Sequence, residues 1–183
     1  MKLSIIIPCY NEELSIPKLI DNCMNIINSN IEIIIVDNGS IDNTFKILNK
    51  SNLPHNIIPI RIEKNIGYGN GILTGLNYAN CEVLSWTHAD LQTDLSDVTK
   101  GYNLYKKELL NKTCVVKGER KKRNIFDAFF TFLMGLYCSI LLGKWLYDIN
   151  AQPKIFHRAF LEKFKKAPLD FSLDLYVLYF FSL

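Results

Sequence analysis

Apolar and polar positions alternate along the chain in two periods, and the switches between them mark its elements. Leu3 to Ile7 reads as a strand. Pro17 then stands near the start of a segment in which Leu19, Ile20, Cys23, Met24 and Ile27 recur at helical spacing. The β-branched run IEIIIV (31–36) predicts a strand buried on both faces. The DNGSIDNT that follows is dense in turn and helix-capping residues, so a short helix comes next. IIPIRI (57–62) predicts a third strand, and the glycine-rich KNIGYGNGILTG (64–75) leads into a helix ending near Ala79. CEVLSW (81–86) predicts a fourth strand, followed by a helix from about Leu95 to Leu110 and a strand at TCVVKG (113–118).

Strands alternating with helices imply an α/β, Rossmann-like fold: a mostly parallel sheet with helices on both faces. In such sheets ligands bind beyond the carboxyl ends of the strands. PCYNEE, DNGSID, EKN, HADLQTD and GERKKR each follow a predicted strand, so all five polar clusters gather on one edge. No internal repeat or low-complexity linker divides the chain, which reads as one domain over 1–183. From about Asn124 the character changes to FDAFFTFLMGLYCSILLGKWLY, where residues 128–143 carry no charge. Sixteen uncharged residues bracketed by Asp127 and Lys144 fall short of a full crossing. The segment 124–147 is therefore expected to lie in a membrane interface.

Composition narrows the class. The 183 residues are 49% hydrophobic and 21% charged, as in a globular protein able to bury a core. A net charge of +3 gives no argument for nucleic acid. Cys9, Cys23, Cys81, Cys114 and Cys138 are widely spaced and form no CxxC pair, which suits a reducing cytosol with thiols acting as small core residues. MKLSIIIPCYNEE has too short an apolar run for a signal peptide, so no export is expected.

Candidate chemistry sits in four places. In HADLQ, His88, Asp90 and Gln92 alternate, and on an extended stretch they project to one side. An imidazole, a carboxylate and an amide oxygen suit an open divalent-metal site that also holds phosphate oxygens, although Asp90 in a simple polar turn reads equally well. Asp37 ends its strand and is placed either to take hydrogen bonds from a base or ribose or to serve the turn, whereas Asp42 reads as a structural cap. Gly67, Gly69 and Gly71 follow the third strand in a GxGxG spacing, which fits close backbone packing beside a substrate better than a dinucleotide fingerprint. Arg120, Lys121, Lys122 and Arg123 directly precede the apolar segment, a position that points from a solvated charge run toward an anionic headgroup or lipid-linked phosphate. His55 and His157 lie in unrelated contexts, and no GxSxG, HExxH or Walker sequence appears.

SIIIPCYNEE, VDNGSIDNT, EKNIGYGNG and HADLQTD, in that order and at these intervals, resemble the inverting family 2 glycosyltransferases of GT-A fold. The likeness is strongest to the branch that includes dolichyl- and polyprenyl-phosphate sugar transferases, and it covers nearly the whole chain. The resemblance implies that Pro8, Tyr10, Glu12, Asp37, Lys64 and Asp90 bind the nucleotide-sugar, and that Asp90 and Gln92 hold a metal and the donor diphosphate. Where the family has DxD this chain has His88-Ala89-Asp90, so His88 joins the implied metal set and the ion is Mg²⁺ or Mn²⁺, with the imidazole favouring Mn²⁺. DINAQPKIF (148–156) is similar to a D-x-x-S-G-F-like block, and DFSLDL (170–175) places Asp174 in an acidic position near the end of the catalytic domain. The family continues beyond DLYVLYFFSL, so a C-terminal truncation is expected.

A phosphate monoester arrives ionised, its second pKa being about 6, and as an acceptor needs cations and an apolar surface instead of a general base. GERKKR followed by FFTFLMGLYCSILLG offers both. The expected activity is sugar transfer from a UDP- or GDP-linked donor to a polyprenyl or dolichyl phosphate. Asp90 and Arg120 act at the reacting groups, Arg120 and Arg123 grip the acceptor phosphate, and the protein is peripheral on the cytoplasmic face of a membrane. Two other readings stand beside it: a saccharide acceptor in surface-polysaccharide synthesis, and a catalytically silent nucleotide-sugar-binding protein.

Overall fold

The computed structural model describes residues 2–91, 93–120 and 124–181. Gln92, Lys121, Lys122 and Arg123 lie outside the described residues. The strands are β1 (Leu3–Cys9), β2 (Ile31–Asn38), β3 (Ile57–Ile62), β4 (Val83–Trp86), β5 (Val116–Lys117) and β6 (Lys154–His157). They form one sheet in the order β3-β2-β1-β4-β6-β5. Helices α1 (Ile16–Ile26), α2 (Thr44–Lys50), α3 (Tyr68–Tyr78), α4 (Ser96–Leu104), α5 (Lys106–Leu110), α6 (Ile125–Leu142) and α7 (Leu173–Phe181) accompany it, with a 3₁₀ stretch at Arg158–Phe164.

The unbroken apolar strands are explained by burial on both faces. Successive residues of a strand point to opposite sides, so Ile5, Ile7, Ile33 and Ile35 join a core with Leu19, Cys23 and Val98. Ile6, Ile34 and Val36 join a second core with Ile72, Leu76 and Val177. Each fully buried Ile side chain contributes about 1.5–3 kcal/mol. Cys9, Cys23 and Cys81 are buried as small core residues, and burial pushes the Cys23 thiol up to about 12.

β1 runs parallel to β2 and β4, and β2 to β3, as the alternating pattern predicts. The departure lies at the other side of the sheet. The strand expected at 113–118 is paired over only Val116–Lys117, and Lys154–His157 enters between it and β4, antiparallel to both. β5 therefore ends, and β6 begins, at the edge where β1 to β4 end. The excursion between them carries α6, so no crossover helix returns the chain to the far edge and β6 has to run backward. The helix expected over 95–110 is interrupted at Tyr105, with φ −114° and ψ 21°.

Helix α6 is 18 residues long with mean hydropathy 1.9, long and apolar enough to cross a membrane by length and composition alone. Only Gly135 and Ser139 are buried. Those two share a face, and the returning chain packs on it: Ser139 Oγ donates to Gly135 O at 2.6 Å and accepts from Leu146 N at 2.8 Å. Phe126, Phe129, Phe130, Tyr137, Ile140 and Leu141 are all exposed. Gly143, at φ 63°, ends the helix in the left-handed region that a glycine adopts without penalty.

Gly118 joins β5 to the site edge under tight constraint. Its N–H donates to Pro153 O at 2.8 Å, and a Cβ there would meet Gln152 O at 2.0 Å and its carbonyl carbon at 2.5 Å. Those atoms are backbone and cannot rotate away. Gly118→Ala is expected to cost about 1–3 kcal/mol, typical of overpacking. Urea denaturation checks it: a midpoint equal to that of the parent chain would show that the 118–153 junction is not held as described.

Candidate functional site

Two groups of side chains stand at the carboxyl edge of the sheet. The first lies beyond β1, β2 and β3. Pro8 is buried in β1, and Tyr10 follows at 44% exposure. Glu12 donates its N–H to Thr44 Oγ1 at 2.8 Å, and its carboxylate accepts from Ser15 Oγ. Asp42 accepts from Thr44 N at 2.9 Å and from Glu13 N at 3.1 Å, the capping role expected of it.

Asp37 is fully buried at the end of β2. Its Oδ1 accepts from Ser40 N at 3.0 Å, while Oδ2 has no hydrogen bond and faces the Arg61 guanidinium at 3.7 Å. Beside it Asn38 gives its amide to Gly67 O at 2.9 Å and leaves Oδ1 unpaired and buried. An unpaired buried acceptor costs about 1–3 kcal/mol, so Asn38 Oδ1, beside an Asp37 Oδ2 that has an ion pair but no hydrogen bond, marks a place where a ligand donor gains. Lys64 is exposed beyond β3, its backbone against the Gly39 turn.

The glycine-rich stretch is resolved differently from its sequence reading. Gly69 and Gly71 lie inside α3, and what presses on Gly67 and Gly69 is the backbone of Pro168, Leu169 and Asp170. A Cβ on Gly69 would stand 2.6 Å from Pro168 O. Close packing is present, but the neighbour is the chain itself; Gly71 instead faces Pro8 and Asn38.

The second group lines an open cleft of about 590 Å³ beyond β4, β5 and β6. His88, Asp90 and Arg120 meet there with Glu119, Asp127 and Gln152. The structure thus brings together the described members of the two clusters that sequence placed on the fourth and fifth strands. Gln92 and Arg123 fall outside the described residues. His88 is half-buried, and burial holds its imidazole below the usual pKa against the pull of Asp90 and Asp174. A neutral imidazole is the form that ligates a metal.

Arg120 is gripped from below. Its Nε donates to Asp148 Oδ1 at 2.7 Å and its backbone N–H to Oδ2 at 2.9 Å. Burial alone would raise the Asp148 carboxyl, yet the Arg120 bonds hold it below the usual range. Its NH2 also meets Asp148 Oδ1 at 2.5 Å, and of the five N–H donors in its rigid fork those on NH1 have no partner among the described residues. Arg120 also lines a recess of about 150 Å³ with Ala128, Thr131 and Phe132 of α6 and with Tyr147.

Sequence reasoning gave Asp174 an acidic place near the site without its partner. Asp174 is 2% exposed and ion-paired to the fully buried Lys154, and it accepts from Gln152 Nε2 at 3.2 Å. That makes it part of the cleft's foundation. Asp148, Gln152 and Lys154 all belong to DINAQPKIF, a block visible in sequence whose individual side chains gave no signal of their roles.

A divalent ion fits this edge only in part. Among the described residues no three His, Cys, Asp or Glu side chains converge as a metal cage. His88 and Asp90 supply two donors of the right chemistry, as in sites where substrate phosphates complete the coordination of Mg²⁺.

Several known proteins are similar to this chain in sequence or fold. The chain is similar to the undecaprenyl-phosphate 4-deoxy-4-formamido-L-arabinose transferase of Proteus mirabilis (strain HI4320), with 34% identity over 104 residues, 54% of this chain and 32% of that one. The protein of the same description from Yersinia pestis bv. Antiqua (strain Angola) is 38% identical over 96 residues, 50% of this chain and 29% of that one. The matched stretch is thus about a third of each relative's length.

Among solved structures, glucosyl-3-phosphoglycerate synthase of Mycobacterium tuberculosis, crystallised with Mn²⁺, UDP and glucosyl-3-phosphoglycerate, superposes with a TM-score of 0.72 at 18% identity. The match covers 95% of this chain and 62% of that one. S. aureus TarS 1–349 gives 0.65 at 22% identity, over 99% of this chain and 55% of that one. Both share the GT-A arrangement of sheet and helices. Residues 4–163 match the family model described as glycosyl transferase family 2. That match runs from β1 through the 3₁₀ stretch and takes in both groups of site residues, so the chain belongs to glycosyl transferase family 2.

Proposed function

We propose that this chain transfers a sugar, with inversion, from a UDP- or GDP-linked donor to a polyprenyl phosphate at a membrane surface. The observation that carries the reading is the place of Arg120. It lines the cleft that holds His88 and Asp90, and it lines the recess against α6, an apolar helix left exposed. A molecule with an anionic head and an isoprenoid tail has those two needs. The similarity to undecaprenyl-phosphate sugar transferases supports the same acceptor.

In this reading Pro8, Tyr10, Glu12, Asp37 and Lys64 hold the nucleotide, with Asp37 Oδ2, which has no hydrogen bond, as an acceptor for base or ribose. His88 and Asp90 face the diphosphate, and Gln92 is assigned to the same group. A divalent ion, Mg²⁺ or Mn²⁺, bound there would supply a Lewis acid for the charge on the leaving group. Arg120, with Arg123, holds the acceptor phosphate. One phosphate oxygen bonds to the anomeric carbon as the carbon–oxygen bond to the diphosphate breaks, the electron pair leaving with the nucleoside diphosphate. No proton has to move, because the acceptor arrives ionised. The surface of α6 lies in the interface of the cytoplasmic leaflet, where Arg120 and Lys144 meet anionic headgroups.

Nucleoside diphosphate release from a panel of UDP- and GDP-sugars, with Mn²⁺ or Mg²⁺ and with or without polyprenyl phosphate, tests the reaction. Lipid-dependent release is expected, falling about 100-fold in Asp90→Asn. Turnover on soluble oligosaccharides without lipid would move the assignment to a saccharide acceptor. Donor binding without turnover under any condition would leave a silent binding protein.

Arg120→Ala should raise the KM for polyprenyl phosphate by about 10-fold or more, since hydrogen bonds to charged groups are worth about 1.5–3 kcal/mol. An unchanged KM would remove Arg120 from the acceptor site. Phe129 and Phe130 are 55% and 67% exposed on α6. Replacing both with Asp should abolish co-sedimentation with anionic vesicles while leaving thermal unfolding near that of the parent; retained sedimentation would place the membrane contact elsewhere.

A further inference from the structure

Beneath the cleft lies a polar cluster that the transfer chemistry does not use. Lys154 is fully buried, and its ammonium donates to the Asp174 carboxylate, to Ile149 O at 3.1 Å and to Ala151 O at 3.3 Å. Those three acceptors use all three of its hydrogens. Gln152, 6% exposed, stands on this pair. Its Nε2 gives one hydrogen to Asp174 Oδ1 at 3.2 Å and the other to the Tyr68 hydroxyl at 3.3 Å. The Tyr68 ring stacks on Phe171 at 4.9 Å and 8°, and on the His88 imidazole at 5.6 Å and 29°.

We propose that Gln152 is a positioning residue: through Tyr68 it ties the buried Lys154–Asp174 pair to the His88 ring and so fixes where the imidazole stands in the cleft. Stacking alone sets the separation and tilt of two rings but lets them slide over one another. The bond from Gln152 removes that freedom, because the carboxamide is itself held by a carboxylate that cannot move while Lys154 is buried against it. A buried ion pair adds little net stability over apolar residues of the same volume. What this one adds is a fixed frame, from which Lys154 also holds the carbonyls of the segment leading from Asp148 to Gln152. The importance of the imidazole's place rests on the reading of His88 as a donor to a metal-bound diphosphate; the positioning itself does not.

The experiment begins with the metal-free protein. The His88 imidazole resonances, assigned by their loss in His88→Ala, are compared in the parent, in Gln152→Met and in Tyr68→Phe. Gln152→Met keeps the side-chain length and removes both hydrogen bonds. Tyr68→Phe keeps the stack and removes one oxygen, so it carries the test if the first variant does not fold. Both variants are expected to move the His88 resonances, and the double variant to move them no further than the larger single effect. Resonances unmoved in Tyr68→Phe and in folded Gln152→Met overturn the proposal.

Mn²⁺ affinity, read by electron paramagnetic resonance in the presence of nucleoside diphosphate, is expected to weaken about 10-fold in Gln152→Met, as for other groups that orient a metal ligand. In a His88→Ala background the same change should add nothing. Moved resonances together with unchanged Mn²⁺ affinity in His88→Ala would uphold the positioning and overturn the metal role of His88 instead.

Discussion

The direction of one strand governs this molecule. Because β6 runs antiparallel to β4 and β5, the chain from Gly118 to Pro153 leaves the sheet and re-enters it at the same edge. The described residues of that excursion consequently start from and return to the end of the sheet where parallel strands place ligands. Arg120, α6, Asp148 and Gln152 all arrive this way. Had the segment formed a crossover helix like α1 or α3, its apolar surface would have covered a sheet face and been spent in the core.

The excursion is also joined to itself. Gly135 and Ser139 bring the returning chain close enough for Leu146 N to donate to Ser139 Oγ at 2.8 Å. Two residues later Asp148 takes the Arg120 side chain at 2.7 Å. The apolar helix and the cleft arginine are therefore held by one short run of backbone. Where α6 lies and where Arg120 points are not independent, because a shift of the helix along the 144–148 segment would carry the carboxylate that orients the guanidinium.

How far the sequence foretold this depended on whether the signal was local. IEIIIV announces a strand buried on both faces because burial on both faces removes the polar alternation, and the structure divides its residues between two cores. The place of HADLQTD and GERKKR at one edge followed from counting strands, and His88, Asp90 and Arg120 do line one cleft. Lys154 is the opposite case: nothing at the start of its short apolar run marks it for burial, since lysines are almost never fully buried without a partner. Its partner, Asp174, is twenty positions on and in another element. Tyr68 was hidden for a different reason, inside a stretch whose glycines drew attention to backbone packing. Pairings of this kind depend on tertiary approach, which periodicity does not encode.

The two halves of the site differ in how they are built. Around Asp37 the groups are held by turns and caps: Ser40 N, Thr44 and Asp42 fix backbone positions and leave Asp37 Oδ2 and Asn38 Oδ1 buried without a hydrogen bond. Around His88 and Arg120 they are held by ion pairs and a stack, with every hydrogen of the Lys154 ammonium committed. Unpaired acceptors suit a neutral donor such as a base edge or a ribose hydroxyl, whose hydrogen bonds would replace those lost from water. A charged group entering that half would meet the buried Asp37 carboxylate, balanced only by Arg61 at 3.7 Å. The cleft half instead offers a guanidinium already oriented, and a pre-oriented cation loses less freedom on meeting an anion than a mobile one does. The two halves of the sheet edge thus differ in how their charge is held: beyond β2 a buried carboxylate meets Arg61 at 3.7 Å without a hydrogen bond on Oδ2, whereas beyond β4 and β5 the guanidinium of Arg120 is hydrogen-bonded in place by Asp148.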